Sequence, residues 1–409
     1  MTAAVGYIFV VLSLLLVAVA GTLVVRTLMA ARAMPRVSSG DRLPPAPGLL
    51  SIVIPAHNEE RVIAESVRTL RSQTRRNFEA IYVLDRCTDR TRELIVAAAE
   101  GDPRIRFIEN DSCPEDWAGK CNACRVGAEA ATGEWILFTD ADCRFEPDMI
   151  DAMLSIAHQT GAALTSALGR LTYGERFERL LQPVAGAVLM RFFPPDKANR
   201  EQDRWPFANG QFLLFRRAEY DAFGGHAAVR DALLEDLAFA ARFEIQGRRT
   251  VVVDATRRMV VSMYASTAAM RSGWTRIYIE SCGRVPESLR KAAVELLICS
   301  VILPLGALTG VVTGVWRIAN GDLSGGTVVA VLGSIALATG VAAVALLHQR
   351  QRAPYSCLAL HPFAAVTVAS WLFAGARMLR QRTPIRWGGR EYVLEPRVHR
   401  RKRRKLATA

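Results

Sequence analysis

The stretch LLSIVIP at residues 49–55 decides the fold, because it is short, apolar, rich in β-branched side chains and ends at a proline. Such a run is typical of a strand that is buried on both faces of a parallel sheet. The residues after it predict a helix capped by Asn58, with Glu59 and Glu60 in its first turn. Further strands are predicted at 80–84, 105–108 and 135–138, separated by helical patterns. This alternation predicts an α/β fold with an open, mostly parallel sheet and flanking helices.

Polar side chains stand at the ends of these predicted strands, among them His57, Asp85 and Asp140. Ligands of open α/β sheets bind at the carboxyl ends of the strands. Asp140 and Asp142 follow a buried strand and, two residues apart, share one side of the chain. Two such carboxylates suit Mg²⁺ or Mn²⁺, which would neutralise the charge that develops as a nucleoside diphosphate departs. Taken alone, an Asp-x-Asp motif fits a surface turn equally well.

A membrane span is predicted at residues 3–25, which carry no ionisable side chain except Tyr7. The run is long enough to cross ~30 Å of hydrocarbon. A cleaved signal peptide is the alternative, but no positive charge precedes the run, and Arg26, Arg32 and Arg36 follow it. The arginines place the following domain in the cytoplasm, so we expect an integral membrane protein with a cytoplasmic central domain.

Three further apolar stretches lie near the C-terminus, at about 293–315, 327–347 and 358–376. Four spans would put the C-terminus outside the cell, yet the run 400–405 is entirely basic. Arginines also flank the last stretch on both sides, and His361 and Pro362 interrupt it. These conflicts predict a re-entrant or interfacial hairpin at 358–376 rather than a fourth span.

The charge is concentrated at the two ends of the chain. The 409 residues have a net charge of +13 and are 51% hydrophobic, which indicates a soluble domain joined to membrane segments. Residues 377–409 contribute +10 and residues 1–49 contribute +3, so the stretch 50–376 is neutral. We therefore expect no nucleic-acid partner, because a nucleic-acid-binding domain carries its basic charge on the folded body.

Glu235 and Asp236 precede a helical pattern of apolar residues. Two acids in a first turn often only complement the helix dipole. A positioned carboxylate can also act as a general base, and the choice between the two interpretations depends on the motifs upstream.

Five motifs occur in the order found in family 2 glycosyltransferases, and the sequence resembles that family over roughly residues 49–290. They are Ile54-Pro55-Ala56-His57-Asn58-Glu59-Glu60, Asp85 with Thr88-Asp89-Arg90-Thr91, Trp117-Ala118-Gly119-Lys120, Thr139 to Asp142, and Leu234-Glu235-Asp236. The membrane segments and the run Ile385 to Tyr392 look like the branch that includes ceramide glucosyltransferase and bacterial hopanoid- or carotenoid-associated transferases.

The resemblance implies a GT-A fold, a nucleotide-diphosphate sugar donor, a divalent metal (Mg or Mn) and inversion at the anomeric carbon. It implies that Asp236 is the catalytic base and that Asp142 and Asp140 lie at the metal. The implied donor-binding residues are Pro55, Ala56, His57 and Glu59 beside the nucleoside, Asp85 at the base, Lys120 at the phosphates, and Asp140 near the ribose. We add Glu235, Trp274 and Arg276 as substrate-binding candidates.

The family's Gln/Arg-x-x-Arg-Trp element is altered here, where the comparable region reads Arg271-Ser272-Gly273-Trp274-Thr275-Arg276. This favours addition of one sugar over polymer synthesis. Segment 176–193 has apolar side chains mainly on one helical face, which suits either the core or a bilayer surface. The bilayer alternative predicts a lipid acceptor that presents a hydroxyl.

The predicted domains are an N-terminal transmembrane anchor (1–34), a Pro-rich linker (35–48), a cytoplasmic glycosyltransferase domain (49–290), a C-terminal membrane region (291–376) and a basic cytoplasmic tail (377–409). Cys121 and Cys124 are expected to be buried thiols rather than zinc ligands. The alternative functions are a polysaccharide synthase, a polyprenyl-phosphate sugar transferase and a catalytically silent membrane scaffold.

Overall fold

A seven-stranded sheet forms the centre of the protein, whose computed structural model describes residues 3–37 and 46–398. Within these residues the strands are β1 (Leu50–Ala56), β2 (Phe78–Asp85), β3 (Ile105–Asn110), β4 (Trp135–Phe138), β5 (Cys143–Phe145), β6 (Leu164–Leu168), β7 (Arg170–Leu171), β8 (Leu213–Arg216), β9 (Thr250–Asp254), β10 (Met259–Val261), β11 (Ile385–Trp387) and β12 (Arg390–Tyr392). The central order is β3-β2-β1-β4-β8-β6-β9. Only β8 runs antiparallel to its neighbours in this sheet. The predicted mostly parallel open sheet is confirmed.

The helices flank the sheet and continue into apolar segments at both ends of the chain. They are α1 (Ala3–Ala33), α2 (Ile63–Arg71), α3 (Thr91–Ala99), α4 (Gly119–Ala130), α5 (Met149–Thr160), α6 (Arg176–Phe192), α7 (Pro195–Ala198), α8 (Arg217–Phe223), α9 (Glu235–Ile245), α10 (Thr267–Ser281), α11 (Pro286–Leu297), α12 (Leu303–Ala319), α13 (Leu323–Gln351) and α14 (His361–Gln381). A π turn at Ile298–Ile302 joins α11 to α12.

Alternate residues of β1 enter different layers of the core, as the two-residue period of a strand requires. Ile52 and Ile54 pack with α2, α3 and α5 on one face. Val53 packs with α4 and α9 on the other. The sheet is therefore covered on both faces, which explains why the run at 49–55 is continuously apolar.

The predicted helix cap at Asn58 is wrong, because α2 begins only at Ile63. Asn58 has a positive φ of 58°, a conformation that asparagine tolerates better than most residues. Its side-chain oxygen accepts a hydrogen bond from the backbone N–H of Thr88 at 2.8 Å. Asn58 thus ties together the loops after β1 and β2 instead of starting a helix.

A three-helix bundle is formed by α1, α12 and α13. Leu16, Leu303 and Ala336 meet in its interior, while apolar side chains such as Val11 and Val312 stay exposed on its outside. Four helical segments are long and apolar enough to cross a membrane: Gly6–Ala33, Pro286–Ala319, Leu323–Gln351 and Tyr355–Gln381.

The last apolar stretch is one continuous helix, α14, so the predicted hairpin within it is wrong. This helix packs against α6, α10 and α11 and lies outside the three-helix bundle. At its start the His361 ring lies 3.3 Å from the Ser300 hydroxyl in the π turn, and near its end Arg380 pairs with Glu287 at the start of α11. α14 therefore runs antiparallel to α11. In the segment Pro286–Ala319, α11 is the part that precedes the three-helix bundle.

Segment 176–193 forms α6, whose apolar side chains belong to the core. Leu181, Val184 and Val188 are buried in a cluster that also contains α10 and α14. Cys121 and Cys124 are buried on α4 and, like the other cysteines, form no disulfide.

Where they are described, the predicted linker (35–48) and the predicted tail (377–409) both contact the domain that contains the central sheet. Val37 donates a backbone hydrogen bond to Asp254, which extends the edge at β9. The remainder of the predicted Pro-rich linker, 38–45, and the basic run 400–405 lie outside the described residues. The predicted boundary at 377 falls inside α14, and the residues after that helix form the β11–β12 hairpin.

Candidate functional site

One cavity of about 960 Å³ receives the carboxyl ends of β1, β2 and β4. It is lined by predicted site residues from several elements, namely Pro55, Ala56, His57, Glu59, Asp85, Lys120, Asp140, Asp142, Glu235, Asp236, Trp274 and Arg276. The structure therefore brings together every predicted site residue. The strand-end rule places the first group, while the start of α4 adds Lys120 and the start of α9 adds the acidic pair.

Lys120 lies between two carboxylates at the floor of this cavity. Its Nζ is 2.6 Å from Asp140 Oδ1 and 2.7 Å from Glu235 Oε1. The Lys120 side chain is only 17% exposed and that of Glu235 only 3%. Burial opposes both charges, but their mutual attraction outweighs burial, so the pKa of Lys120 is raised and that of Glu235 is lowered. Lys120 is thus part of an internal ionic network rather than a solvated surface lysine.

Asp236 points toward the segment that precedes β8. Its Oδ2 accepts a hydrogen bond from the backbone N–H of Gly210 at 2.7 Å, and its Oδ1 accepts one from Leu237 at 2.7 Å. Burial and the neighbouring charge of Glu235 raise the pKa of Asp236 to about 7. A carboxylate with such a pKa is suited to accept a proton at neutral pH.

Gly210 is required by this crowding. A Cβ atom at this position would lie 3.0 Å from both Glu235 Oε1 and Lys120 Nζ, and 3.3 Å from Asp236 Oδ2. The close backbone approach lets Gly210 donate to Asp236 while the ionic network passes directly beside it. No local sequence pattern around Gly210 predicted that it would hold Asp236.

Like Asp236, the cavity acids Asp142 and Glu59 form no ion pair with any described residue. Burial and the charge of Asp140 raise the pKa of Asp142 to about 7. Burial, followed by the charges of Asp142 and Asp140, raises the pKa of Glu59 to about 8. In the described part of the chain no three His, Cys, Asp or Glu side chains converge as a preformed metal site.

Asp85 is buried and already has three donors on its carboxylate. Arg86 donates to both oxygens, at 3.1 and 2.6 Å, and Asn110 Nδ2 donates to Oδ1 at 3.0 Å. His57 Nδ1 lies 2.6 Å from the backbone oxygen of Asp85. The His57 ring is thus held by the end of β2. Sequence reasoning missed both Arg86 and Asn110.

The β11–β12 hairpin covers this side of the cavity. The backbone oxygen of Gly388 accepts a hydrogen bond from Arg86 at 3.2 Å, and Tyr392 Oη accepts one from the backbone N–H of Gly119 at 3.3 Å. A Cβ atom on Gly389 would lie 3.2 Å from His57 Nε2. The run Ile385 to Tyr392 is part of the family resemblance, but nothing in its sequence predicted that it would reach the carboxyl ends of the strands.

Arg390 fastens this hairpin to the loop before α4. Its Nη1 donates to Cys113 Sγ and to the carbonyl oxygens of Pro114 and Trp117, at 2.7 to 2.9 Å. The loop leads directly into Gly119 and Lys120. The hairpin therefore supports the start of α4.

Arg276 and Trp274 lie on α10 but have different surroundings. Arg276 donates to the backbone oxygen of Leu233 at 2.8 Å, and its guanidinium lies 4.3 Å from the centre of the Trp387 ring. The Nε of Arg276 is buried without a hydrogen-bond partner among the described residues. Trp274 is buried beside Tyr278, so most of its ring is unavailable for stacking on a ligand.

The other end of the same cavity is apolar and is formed by the candidate membrane spans α1 and α13 together with α6. Its walls include side chains of α1 (Val19, Leu23, Ala30), α6 (Leu189, Met190) and α13 (Leu347). Polar strand ends and membrane helices thus share one continuous space.

Comparison with known proteins identifies relatives of this chain. Residues 51–223 match the model of the family described as Glycosyl transferase family 2. The 4,4'-diaponeurosporenoate glycosyltransferases of Staphylococcus aureus strains MRSA252 and USA300 are each 25% identical over 265 residues, covering 63% of this chain and 68% of the relative. The family match bears out the predicted resemblance for residues 51–223, and the open, mostly parallel sheet agrees with the predicted fold class.

Two solved structures are similar at lower sequence identity. Mannosyltransferase PcManGT from Pyrobaculum calidifontis, in complex with GDP-Man and Mn²⁺, is 18% identical with a TM-score of 0.49, covering 90% of this chain and 98% of that one. S. aureus TarS 1–349, in complex with UDP-GlcNAc, is 14% identical with a TM-score of 0.39, covering 85% and 96%.

Proposed function

We propose, for a chain whose residues 51–223 form a family 2 glycosyltransferase domain, that the protein moves one sugar from a nucleotide-diphosphate sugar to the hydroxyl of a membrane lipid, with inversion. The observation that carries this proposal is the continuous cavity. Its polar end holds Asp140, Asp142 and Asp236, and its apolar end is lined by helices α1 and α13. A lipid that enters between these helices would present its polar end to the acids.

In the proposed reaction the acceptor oxygen attacks the anomeric carbon from the face opposite the diphosphate. Asp236 takes the proton of the attacking hydroxyl, and the bond between the anomeric carbon and the diphosphate oxygen breaks. Gly210 and Leu237 hold the Asp236 carboxylate in place through their backbone N–H groups. Lys120 and Arg276 supply positive charge beside the departing diphosphate, where preorganised cations stabilise the developing negative charge.

The cavity acids fit a divalent cation. Asp142 has a raised pKa, has Asp140 as its neighbour and forms no ion pair with any described residue. Asp142 and Asp140 would hold Mg²⁺ or Mn²⁺, with waters and diphosphate oxygens completing its coordination. When bound, the ion would neutralise charge on the diphosphate leaving group.

Chelation of divalent metal is expected to abolish transfer, and added Mg²⁺ or Mn²⁺ to restore it. Asp142→Asn is expected to lower activity about 10²- to 10³-fold, the cost of removing one preorganised stabiliser of a developing charge. The check is a titration of metal against transfer rate, with Mn²⁺ binding followed separately by magnetic resonance. Glu93→Gln, which alters an exposed acid outside the cavity lining, is the matched control. An Asp142→Asn enzyme that binds metal and turns over normally would exclude this ligand.

Loss of the hairpin anchor is expected to weaken donor binding. Arg390→Met removes the hydrogen bonds between the hairpin and the loop before α4, which leads into Lys120. A resulting displacement of Lys120 by about 1 Å would lower activity by up to ~10²-fold. Arg382→Met is the control, because Arg382 pairs only with Glu395 at the exposed base of the hairpin. The measurement is the donor KM of both variants. An unchanged KM in Arg390→Met would make the hairpin a passive cover.

Topology follows from the same arrangement. With α1, α12 and α13 as three spans and α14 alongside the catalytic domain, both the catalytic domain and the C-terminus lie on one side of the membrane. The arginines after α1 favour the cytoplasm, and we propose the bacterial inner membrane as the location. A C-terminal reporter fusion that is active only outside the cell would contradict this topology.

The acceptor can be identified directly. Membranes containing the protein are incubated with a panel of labelled sugar nucleotides, lipids are extracted, and the product is analysed by mass spectrometry. The S. aureus relatives are named for a carotenoid carboxylate, so apolar acceptors bearing a hydroxyl or a carboxylate are both included. A glycoside resists mild alkali, whereas a sugar ester is cleaved by it.

The same experiment separates the alternatives. Label in a polysaccharide would indicate a synthase, and acid-labile label on a phosphate-bearing lipid would indicate a polyprenyl-phosphate transferase. Neither transfer nor metal-dependent hydrolysis of any donor would indicate a silent scaffold. Membranes without the protein serve as the blank.

A further inference from the structure

Four arginines surround a second cavity of about 600 Å³ on the catalytic-domain side of the three-helix bundle. We call it the arginine pocket. Its lining consists of Arg36, Val37, Asp254, Thr256, Arg257, Gln349, Arg350 and Arg352. Three parts of the chain converge here: the segment after α1, the turn after β9 and the C-terminal end of α13.

The arginine pocket has more positive charge than its own acid can neutralise. Its single carboxylate, Asp254, pairs with Arg36 at 3.5 Å and also accepts hydrogen bonds from the backbone N–H and hydroxyl of Thr256, at 3.1 and 2.8 Å. Arg257, Arg350 and Arg352 form no ion pair with any described residue. An excess of three positive charges therefore faces a concave space.

Arg350 provides a second observation. Its Nε is buried and has no hydrogen-bond acceptor among the described residues. A buried guanidinium N–H without an acceptor costs free energy, which an incoming anion would recover. Guanidinium groups bind phosphate through paired hydrogen bonds, so phosphate is the chemistry that fits.

The position of the arginine pocket indicates which kind of molecule carries that phosphate. α1 and α13 both end at the pocket, and each carries exposed apolar side chains along its length, such as Leu23 and Val341. We propose that the arginine pocket binds the phosphate headgroup of an anionic membrane phospholipid, whose acyl chains lie along the outer faces of α1 and α13. Headgroups occupy this level of a bilayer, and each basic residue near an anionic surface contributes favourably to binding.

The bound lipid would lie next to the catalytic cavity. Asp254, Thr256 and Arg350 line both spaces. An anionic lipid would therefore fix the ends of α1 and α13 around the entrance that the acceptor uses. Binding itself does not depend on the proposed glycosyl transfer, so the two can fail separately.

Native mass spectrometry of the full-length protein in detergent tests the binding. Phosphatidylglycerol and phosphatidylcholine of equal chain length are added in turn, without sugar donor. We expect the wild type to retain phosphatidylglycerol selectively, and Arg257→Gln/Arg352→Gln to bind it about 10-fold or more weakly. Neither of these two arginines lines the catalytic cavity, and both are exposed, so the variant is expected to fold.

The matched control is Arg68→Gln/Arg92→Gln, which removes the same charge from exposed positions on α2 and α3. Equal lipid selectivity in the wild type and both variants would overturn the proposal. Inorganic phosphate forms a third arm: if it displaces phosphatidylglycerol at millimolar concentration, the pocket takes free phosphate and the lipid assignment is wrong. Retention of phosphatidylglycerol in excess phosphate, lost only in the Arg257/Arg352 variant, supports it.

Discussion

Asp236→Asn is expected to lower the rate of sugar transfer about 10²- to 10⁴-fold while leaving donor binding largely intact, because positioned proton transfer contributes this much to catalysis. The substitution keeps the shape of the side chain and one oxygen that can accept the hydrogen bond from Gly210. It removes the basic carboxylate. The measurements are the transfer rate to the identified acceptor and, separately, the affinity for the nucleotide diphosphate.

The pH dependence gives an independent readout of the same group. Since burial and Glu235 raise the pKa of Asp236 to about 7, the base is protonated below that value, and activity should rise with pH through about 7. Asp142 has a pKa of about 7 as well. Measurements at saturating metal reduce the contribution of Asp142 to the pH dependence. The remaining rise of activity with pH should become shallower in Asp236→Asn.

Asp231→Asn is the matched control, because Asp231 is exposed five residues before Asp236 and does not line the cavity. It should retain full activity. Full turnover by Asp236→Asn would remove Asp236 as base. If the acceptor were a carboxylate, already ionised at neutral pH, Asp236→Asn should have only a small effect, so this variant also reports on the acceptor chemistry.

Local sequence patterns predicted the parts of the site that depend on the sheet. The apolar run at 135–138 coincides with β4, and the parallel-sheet rule then placed Asp140 and Asp142 at the ligand edge. The helical pattern after Glu235 likewise predicted the first turn of α9. These predictions succeed because strand and helix periods are encoded within a few neighbouring residues.

Contacts between distant segments have no comparable local signal. Tyr392 reaches Gly119 across more than two hundred residues, and Arg390 reaches Cys113. Nothing in the pattern around these residues specifies such pairs. The charge on both flanks of α14 argues against a fourth span, and this stays a prediction, since the length and composition of Tyr355–Gln381 also allow a span. The continuous helical form of α14 depends on packing against α11, which the charge pattern does not encode.

Lys120→Met is expected to lower the free energy of unfolding by about 3–5 kcal/mol, the range found when one partner of a buried ion pair is removed. Lys120 contacts Asp140 and Glu235 at 2.6 and 2.7 Å, and Glu235 is almost fully buried. Without the ammonium group, these two acids would face each other at the cavity floor. Glu235 forms no other ion pair with the described residues. Denaturant unfolding of the detergent-purified protein, followed by tryptophan fluorescence, measures the loss. Lys291→Met, at an exposed lysine of α11, should unfold like the wild type.

A double variant separates the structural role of Lys120 from its proposed contact with the donor. Lys120→Met/Glu235→Gln removes the ammonium group of Lys120 and the charge of Glu235, the more buried of its two acidic partners. Most of the free energy of unfolding that is lost in Lys120→Met should therefore be regained. If Lys120 also binds the donor phosphates, affinity for the nucleotide diphosphate should stay low in this stable protein. Recovery of full donor affinity would confine Lys120 to the ionic network, and a single variant as stable as the wild type would mean that the acids become protonated without it. The internal salt bridge and the phosphate contact thus predict different outcomes for the same residue, because only the first of them can be restored by neutralising Glu235.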